Sequence, residues 1–309
     1  MIACVSPSPS IDRLFEVDRL RPGEIHRPTR FVRVAGGKGL NAARAAATLG
    51  ADVRAAALLG GPSGRWIADE LDRIGVPLVA SWYEGETRSC LSVADRESDS
   101  LTEFYEENAE VSAEEWEAFV RLALSAAESA DWTTVSGSLP RGAPADGYER
   151  FAAATTHVAV DTAALGNARP ALVKVNATEA STLTGITVRT TGEATEVAHL
   201  LRRRIGGEGH AAAITSGRDG AVLVTPDGST WRGWLTAAGR YPVGSGDAFL
   251  AGLVAALSAD ADWPDALAVA LGAAAANAEV PGPGLLDGAR ARALAEQAVI
   301  EPAVAVKTR

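Results

Sequence analysis

Tyr241-Pro-Val-Gly-Ser-Gly-Asp-Ala-Phe-Leu-Ala-Gly252 is the stretch on which the reading of this chain turns. Two glycines flank Ser245 and let the backbone turn sharply, and an apolar, Ala-rich helix follows at once. The first N–H groups of a helix lack intrahelical acceptors, so such a start forms an anion hole. Asp247 places a carboxylate beside it. Together they suit phosphoryl transfer: the carboxylate takes a proton from a hydroxyl while the amides hold the phosphoryl oxygens as charge develops. Taken alone, Asp247 equally reads as an acid that complements the helix dipole.

Working outward, the Ala-rich run 246–278 is interrupted by Asp260, Asp262, Trp263, Pro264 and Asp265. It predicts two buried helices joined by a turn, not a membrane span. Upstream, apolar runs at 2–5, 53–59, 132–136, 157–161, 172–175 and 211–215 predict strands. Between them, 40–49, 63–74, 145–154 and 191–205 predict helices, and Ser112 with Glu115 forms a capping box ahead of another. Asp227-Gly228 marks a hairpin, and the chain is expected to be helical to about residue 298. This alternation predicts one α/β domain over 1–309, with a mostly parallel sheet covered on both faces. Two extended segments, near 13–34 and 87–104, fit it poorly and predict a small separate β layer.

Three further turns carry candidate chemistry. Ala35-Gly-Gly-Lys-Gly-Leu-Asn41 leads into a helix, without the spacing of a Walker loop, and presents amides, Lys38 and Asn41 to a polyhydroxy ligand. In Lys174-Val-Asn-Ala-Thr-Glu179, Asn176 and Glu179 stand three apart at a strand-to-helix junction. They read either as water-mediated magnesium ligands or as a helix cap. Thr215-Ser-Gly-Arg-Asp-Gly220 is a tight turn able to carry part of a nucleotide. The net charge is −10, from 29 basic and 39 acidic residues, which argues against nucleic acid or an anionic membrane as partner. Cys4 and Cys90 make no disulfide framework, and the first residues lack a signal-peptide pattern, so a cytoplasmic protein is expected.

The order and joint presence of these motifs resemble the PfkB family of carbohydrate kinases over nearly the whole chain. Ser6-Pro-Ser-Pro-Ser-Ile-Asp12, Gly23-Glu24-Ile25-His26-Arg27, Thr87-Arg88, Thr102-Glu103, Gly137-Ser-Leu-Pro140 and Pro242-Val-Gly-Ser-Gly-Asp247 are similar to its phosphofructokinase and tagatose-6-phosphate kinase branch. The resemblance implies a ribokinase-like three-layer sandwich in which the two odd segments form a β lid that pairs two copies in a homodimer.

It also implies roles. Asp247 would be the base, and the amides of Gly244, Ser245 and Gly246 the anion hole. Asp12, Gly37, Asn41 and Arg88 would bind the sugar, with Arg27, Lys38 and Ser138 near a phosphate it already carries. Lys174, Asn176, Glu179, Thr215, Gly217, Gly220 and Asn277 would serve ATP and Mg2+, with Asn176 and Glu179 reaching the metal through water. A monovalent cation is a further candidate. The expected reaction is phosphoryl transfer from ATP to fructose 1-phosphate, fructose 6-phosphate or tagatose 6-phosphate. Kinases of free sugars or nucleosides, and a non-catalytic sugar-binding regulator, are the alternatives. Three features depart from the branch: Tyr241 in place of Asp or Asn, Cys90 in place of Asn, and the acidic run Tyr105-Glu-Glu-Asn-Ala-Glu110.

Overall fold

The structure, a computed structural model, describes residues 1–155, 157–236 and 239–303. Its strands are β1 (Ile2–Ser6), β2 (Ser10–Val17), β3 (Arg30–Gly36), β4 (Val53–Gly60), β5 (Leu78–Tyr83), β6 (Ser89–Asp95), β7 (Ser100–Tyr105), β8 (Trp132–Ser136), β9 (Val158–Asp161), β10 (Leu172–Asn176), β11 (Ala211–Thr215), β12 (Ala221–Val224), β13 (Thr230–Trp234) and β14 (Val299–Pro302). Its helices are α1 (Lys38–Thr48), α2 (Gly61–Arg73), α3 (Ala113–Ala127), α4 (Gly147–Ala154), α5 (Ala177–Thr184), α6 (Thr191–Ile205), α7 (Ser245–Ser258), α8 (Trp263–Glu279) and α9 (Gly288–Ala295).

Ten strands form one sheet in the order β14-β13-β12-β11-β10-β9-β8-β1-β4-β5. From β5 to β11 neighbouring strands run parallel, and β12, β13 and β14 extend the sheet antiparallel. The parallel strands are mostly apolar because both faces are covered. Successive residues feed opposite cores. Ala55, Ala57 and Leu59 of β4 pack with Leu40 of α1 and Phe249 of α7. Ala56 and Leu58 pack with Trp116 and Phe119 of α3 on the other side. The strand order reverses at β1, which lies between β4 and β8. The crevice beyond the carboxyl ends of strands at such a reversal is where α/β sheets hold ligands.

The two misfit segments supply the second sheet, β3-β2-β6-β7. Its register sets Asp12 beside Cys90, and Cys90 beside Tyr105. Phe15 meets Phe31 edge-on, and Phe31 and Phe104 remain more than half exposed. Side-chain contacts tie this sheet to the approach of α7: Tyr241 Oη donates to Glu16 Oε2 at 2.5 Å, and Arg240 pairs with Asp99 and donates to the Arg96 carbonyl, both at 3.1 Å.

Two expectations change. The tail is not continuously helical. Pro281, Gly282, Pro283 and Gly284 break it after α8, and β14 closes the sheet edge, where Pro302 is tolerated. The edge strand β5 adds a strand at 78–83 that apolar periodicity had not marked. Cys4 and Cys90 are free and buried, and among the described residues no helix is long and apolar enough to cross a membrane.

Candidate active site

A cavity of about 750 Å3 opens between the second sheet and the carboxyl ends of the parallel strands. Asp247 lies in its wall, in the first turn of α7, and is 7% exposed. Asn41 of α1 donates from Nδ2 to its Oδ2 at 2.9 Å. Burial pushes the Asp247 carboxyl up to about 7, and the charge of Asp161 adds to the rise. Lys38, Lys174 and the Asn41 hydrogen bond pull the other way. A carboxylate that titrates near the working pH suits a general base.

The helix start is built as the glycines imply. Gly244 caps α7 in the left-handed region, with φ 81°. Asn277 holds the turn from behind: its Nδ2 donates to the Val243 carbonyl at 2.9 Å and the Ser245 hydroxyl at 3.2 Å, and its Oδ1 accepts from Gly284 N at 2.8 Å. One amide is already used, since Ser245 N–H donates to the Pro242 carbonyl at 3.1 Å. Among the described residues the Gly244, Gly246 and Asp247 N–H groups have no protein acceptor outside the helix, so these amides are the ones left open at the hole.

The Gly-rich turn at 35–41 arrives from β3. Gly37 needs its positive φ of 87°, and its N–H donates to Asp12 Oδ2 at 3.2 Å, while Ser10 Oγ donates to Oδ1 at 2.6 Å. Burial raises the Asp12 carboxyl, and those two hydrogen bonds, with Arg44 and Arg88 farther off, oppose the rise. Asn41 presents a buried Oδ1 that has no partner among the described residues. Arg88 also lines the cavity; its contacts to the Ser8 and Glu106 carbonyls are long, at 3.5 Å, and its Nε is unpartnered. Ser138 accepts from Asn108 Nδ2 at 2.7 Å, which leaves its own hydroxyl proton for a ligand.

On the other side stand Lys174, Asn176, Glu179, Thr215, Gly217 and Gly220. Asn176 and Glu179 do form the reciprocal cap of α5, each accepting the other's backbone N–H, at 2.8 and 3.0 Å. The second Glu179 oxygen accepts from Lys38 Nζ at 2.5 Å. Among the described residues no three or more His, Cys, Asp or Glu converge as a metal cluster. The oxygen donors do fit Mg2+, which takes few protein ligands and completes its shell with water and phosphate.

Sequence reasoning passed over Asp161, at the end of β9 and wholly buried. Its Oδ1 accepts from Lys38 Nζ at 2.8 Å and its Oδ2 from Lys174 Nζ at 2.7 Å. Burial opposes its charge, but the two ammoniums prevail and keep its pKa below the usual value. Lys38 likewise stays firmly charged despite burial, because Asp161, Glu179 and Asp247 surround it. The available signal was a lone acid ending the apolar run Val-Ala-Val-Asp161.

Two expected residues lie elsewhere. Arg27 is exposed in the connection 18–29, at the end of the β2–β3 hairpin remote from Gly36, and does not line the cavity. Asn277 is fully buried and acts on the turn instead of facing a nucleotide. The three cations expected around the sugar are therefore not assembled within one chain: Lys38 is neutralised and Arg27 is outside. The acidic run also points its charges away. Glu106 accepts from Ser89 N at 2.7 Å, and Glu107 and Glu110 pair with Arg141 at 3.1 and 3.4 Å.

Comparison with known proteins gives the family and the fold. A 1-phosphofructokinase of Haloferax volcanii is 34% identical over 273 residues, covering 86% of this chain and 87% of that protein. The crystal structure of phosphofructokinase-2 from Escherichia coli in complex with potassium superposes with a TM-score of 0.84 at 22% identity, over 96% of this chain and 98% of the other. Arabidopsis thaliana ribokinase complexed with ribose and ATP gives 0.72 at 20% identity, over 96% and 98%. These two structures establish the ribokinase-like fold. Since the sequence profile of pfkB family carbohydrate kinases matches residues 1–287, the chain belongs to that family.

Proposed function

We propose that this protein transfers the γ-phosphoryl group of ATP to a hydroxyl of a hexose phosphate, with fructose 1-phosphate the first candidate. The observation that carries the reading is Asp247: a buried carboxylate near neutrality, oriented by Asn41, in the first turn of a helix that opens onto the cavity. The 34% identical 1-phosphofructokinase supports the choice of substrate class.

In this mechanism Asp12 and Asn41 hold sugar hydroxyls, and Arg88 and Ser138 bind the existing phosphate. Arg88 suits that task because guanidinium binds two phosphate oxygens at once. Asp247 accepts the proton of the attacking hydroxyl. The Gly246 and Asp247 N–H groups and the Lys174 ammonium receive the negative charge of the transferring group. Thr215, Gly217 and Gly220 line the nucleotide end. Asn176 and Glu179 would hold a magnesium ion through water, and that ion would supply charge neutralisation of the phosphates. The whole chain works as one domain. The second sheet acts as a lid that keeps water from the γ-phosphate, and its exposed Phe31 and Phe104 make the contact between two copies.

The test is a coupled ATP-consumption screen over fructose 1-phosphate, fructose 6-phosphate, tagatose 6-phosphate, free fructose, ribose and nucleosides, with and without Mg2+ and potassium. Phosphorylated ketohexoses should lead in kcat/KM. Equal efficiency on the free sugars would move the assignment to a kinase of unphosphorylated substrates.

A further inference from the structure

We propose that Asp161 is a positioning residue for phosphoryl transfer: one buried carboxylate that fixes the Lys174 ammonium against the anion hole and the Lys38 ammonium beside the Gly-rich turn. The inference rests on the kinase reading above and deepens it.

The geometry is specific. Asp161 is fully buried at the end of a parallel strand, behind Lys38 and Lys174, which line the cavity. Its two oxygens serve two different lysines, at 2.8 and 2.7 Å. Those lysines come from separate segments, α1 and β10. Lys174 is held so close to α7 that a Cβ at Gly246 would stand 2.7 Å from its Nζ. The ammonium thus occupies the space a side chain would take at the anion hole. Lys38 is shared onward to Glu179, at 2.5 Å, so the same carboxylate also indexes the glycine turn to the α5 cap.

A lysine ammonium is a point charge on a flexible stem and has no fixed direction of its own. Two of them drawn toward one carboxylate repel each other once its charge is gone. Asparagine in its place offers only one acceptor oxygen, so one lysine must lose its bond.

This separates positioning from simple electrostatics. Asp161→Asn removes a negative charge from a site for a polyanion. If Asp161 were a passive acid, nucleotide binding would tighten and turnover would hold. If it positions the lysines, kcat falls although the site has become more positive. We expect kcat to drop on the order of 10²-fold, the scale for displacing a reacting group by about an ångström, while KM for fructose 1-phosphate and the affinity for a non-hydrolysable ATP analogue hold or improve.

The experiment measures kcat, KM and calorimetric analogue binding for wild type, Asp161→Asn, Lys174→Met and the double variant. The loss in the double variant should be close to that in Lys174→Met alone, because Asp161 acts through the lysines. A kcat for Asp161→Asn within about threefold of wild type, or losses that add, overturns the proposal. Should Asp161→Asn fail to fold, Asp161→Glu keeps the charge and shifts it by one methylene; it too should lose kcat at unchanged KM, and full activity overturns the proposal. A wild type that turns over no sugar phosphate refutes the kinase reading instead. The positioning claim is then decided by the crystal structure of Asp161→Asn or Asp161→Glu: an ammonium displaced from its place supports it, and an unmoved pair overturns it.

Discussion

Asn41→Ala should move the acid limb of the pH–kcat profile to higher pH. Asp247 has its carboxyl at about 7 because burial and the charge of Asp161 raise it, and the Asn41 hydrogen bond is one of the interactions that restrain the rise. That bond, at 2.9 Å, favours the ionised form. A hydrogen bond to a charged group is worth roughly 1.5–3 kcal/mol, and one pH unit corresponds to about 1.36 kcal/mol, so its loss shifts the limb upward by about one to two units. Only the ionised carboxylate accepts the substrate proton. At pH 7 the competent fraction would then fall from about half to roughly a tenth or less, and recover near pH 9. The assay is initial-rate ATP consumption at saturating substrates from pH 5.5 to 9.5, with chemistry shown to be rate-limiting by its insensitivity to viscosity. An acid limb that stays in place, or moves to lower pH, refutes the assignment of Asp247 as the titrating base.

Asp247→Asn should keep the fold and nucleotide binding but lose roughly 10²–10⁴-fold in kcat; a variant within about threefold of wild type removes Asp247 from the mechanism. The same substitution should raise the melting temperature at pH 8 more than at pH 4. The folded-state pKa of Asp247 lies above its unfolded value of 3.8, so this group's contribution to stability is present at low pH and is lost as pH rises toward about 7, and asparagine carries no such penalty. Arg88→Ala should raise KM for fructose 1-phosphate about tenfold or more while sparing the low activity on free fructose, since a charge-assisted bidentate contact is lost; equal effects on both would place the phosphate elsewhere. Sedimentation at micromolar concentration should show a dimer that Phe31→Glu with Phe104→Glu dissociates, and a wild-type monomer under all ligand conditions would count against the contact through the second sheet.

How legible the molecule was depends on range along the chain. The glycine turns before α1 and α7 were readable because a sharp turn into a helix is a local property of Gly-Gly-Lys-Gly and Gly-Ser-Gly. The capping boxes at Ser112 and Asn176 were readable for the same reason, and both are formed. Asp161 was not, because its partners meet it only in the folded sheet: Lys174 from the adjacent parallel strand β10, and Lys38 from helix α1, far away in sequence. Asn277 showed the opposite error. The family resemblance implied a place at the nucleotide, yet its partners are the Val243 carbonyl, the Ser245 hydroxyl and the Gly284 N–H. Arg27 failed on geometry alone: the antiparallel register of β2 and β3 carries the far end of that hairpin away from Gly36. The edge strands β5 and β14 are short, the first preceded by Pro77 and the second ended by Pro302, so neither has enough alternation to stand out.

The bond between Lys38 and Glu179 bears on selectivity. At 2.5 Å, with Asp161 on its other side, Lys38 already has its charge answered before any ligand arrives. A phosphate entering there competes with a resident carboxylate, and succeeds only if it offers more charge or brings a cation to take Glu179 in exchange. Dilute monovalent anions of the surrounding solution meet neither condition. On the kinase reading, the protein's own carboxylate would serve as a placeholder for a metal-loaded polyphosphate.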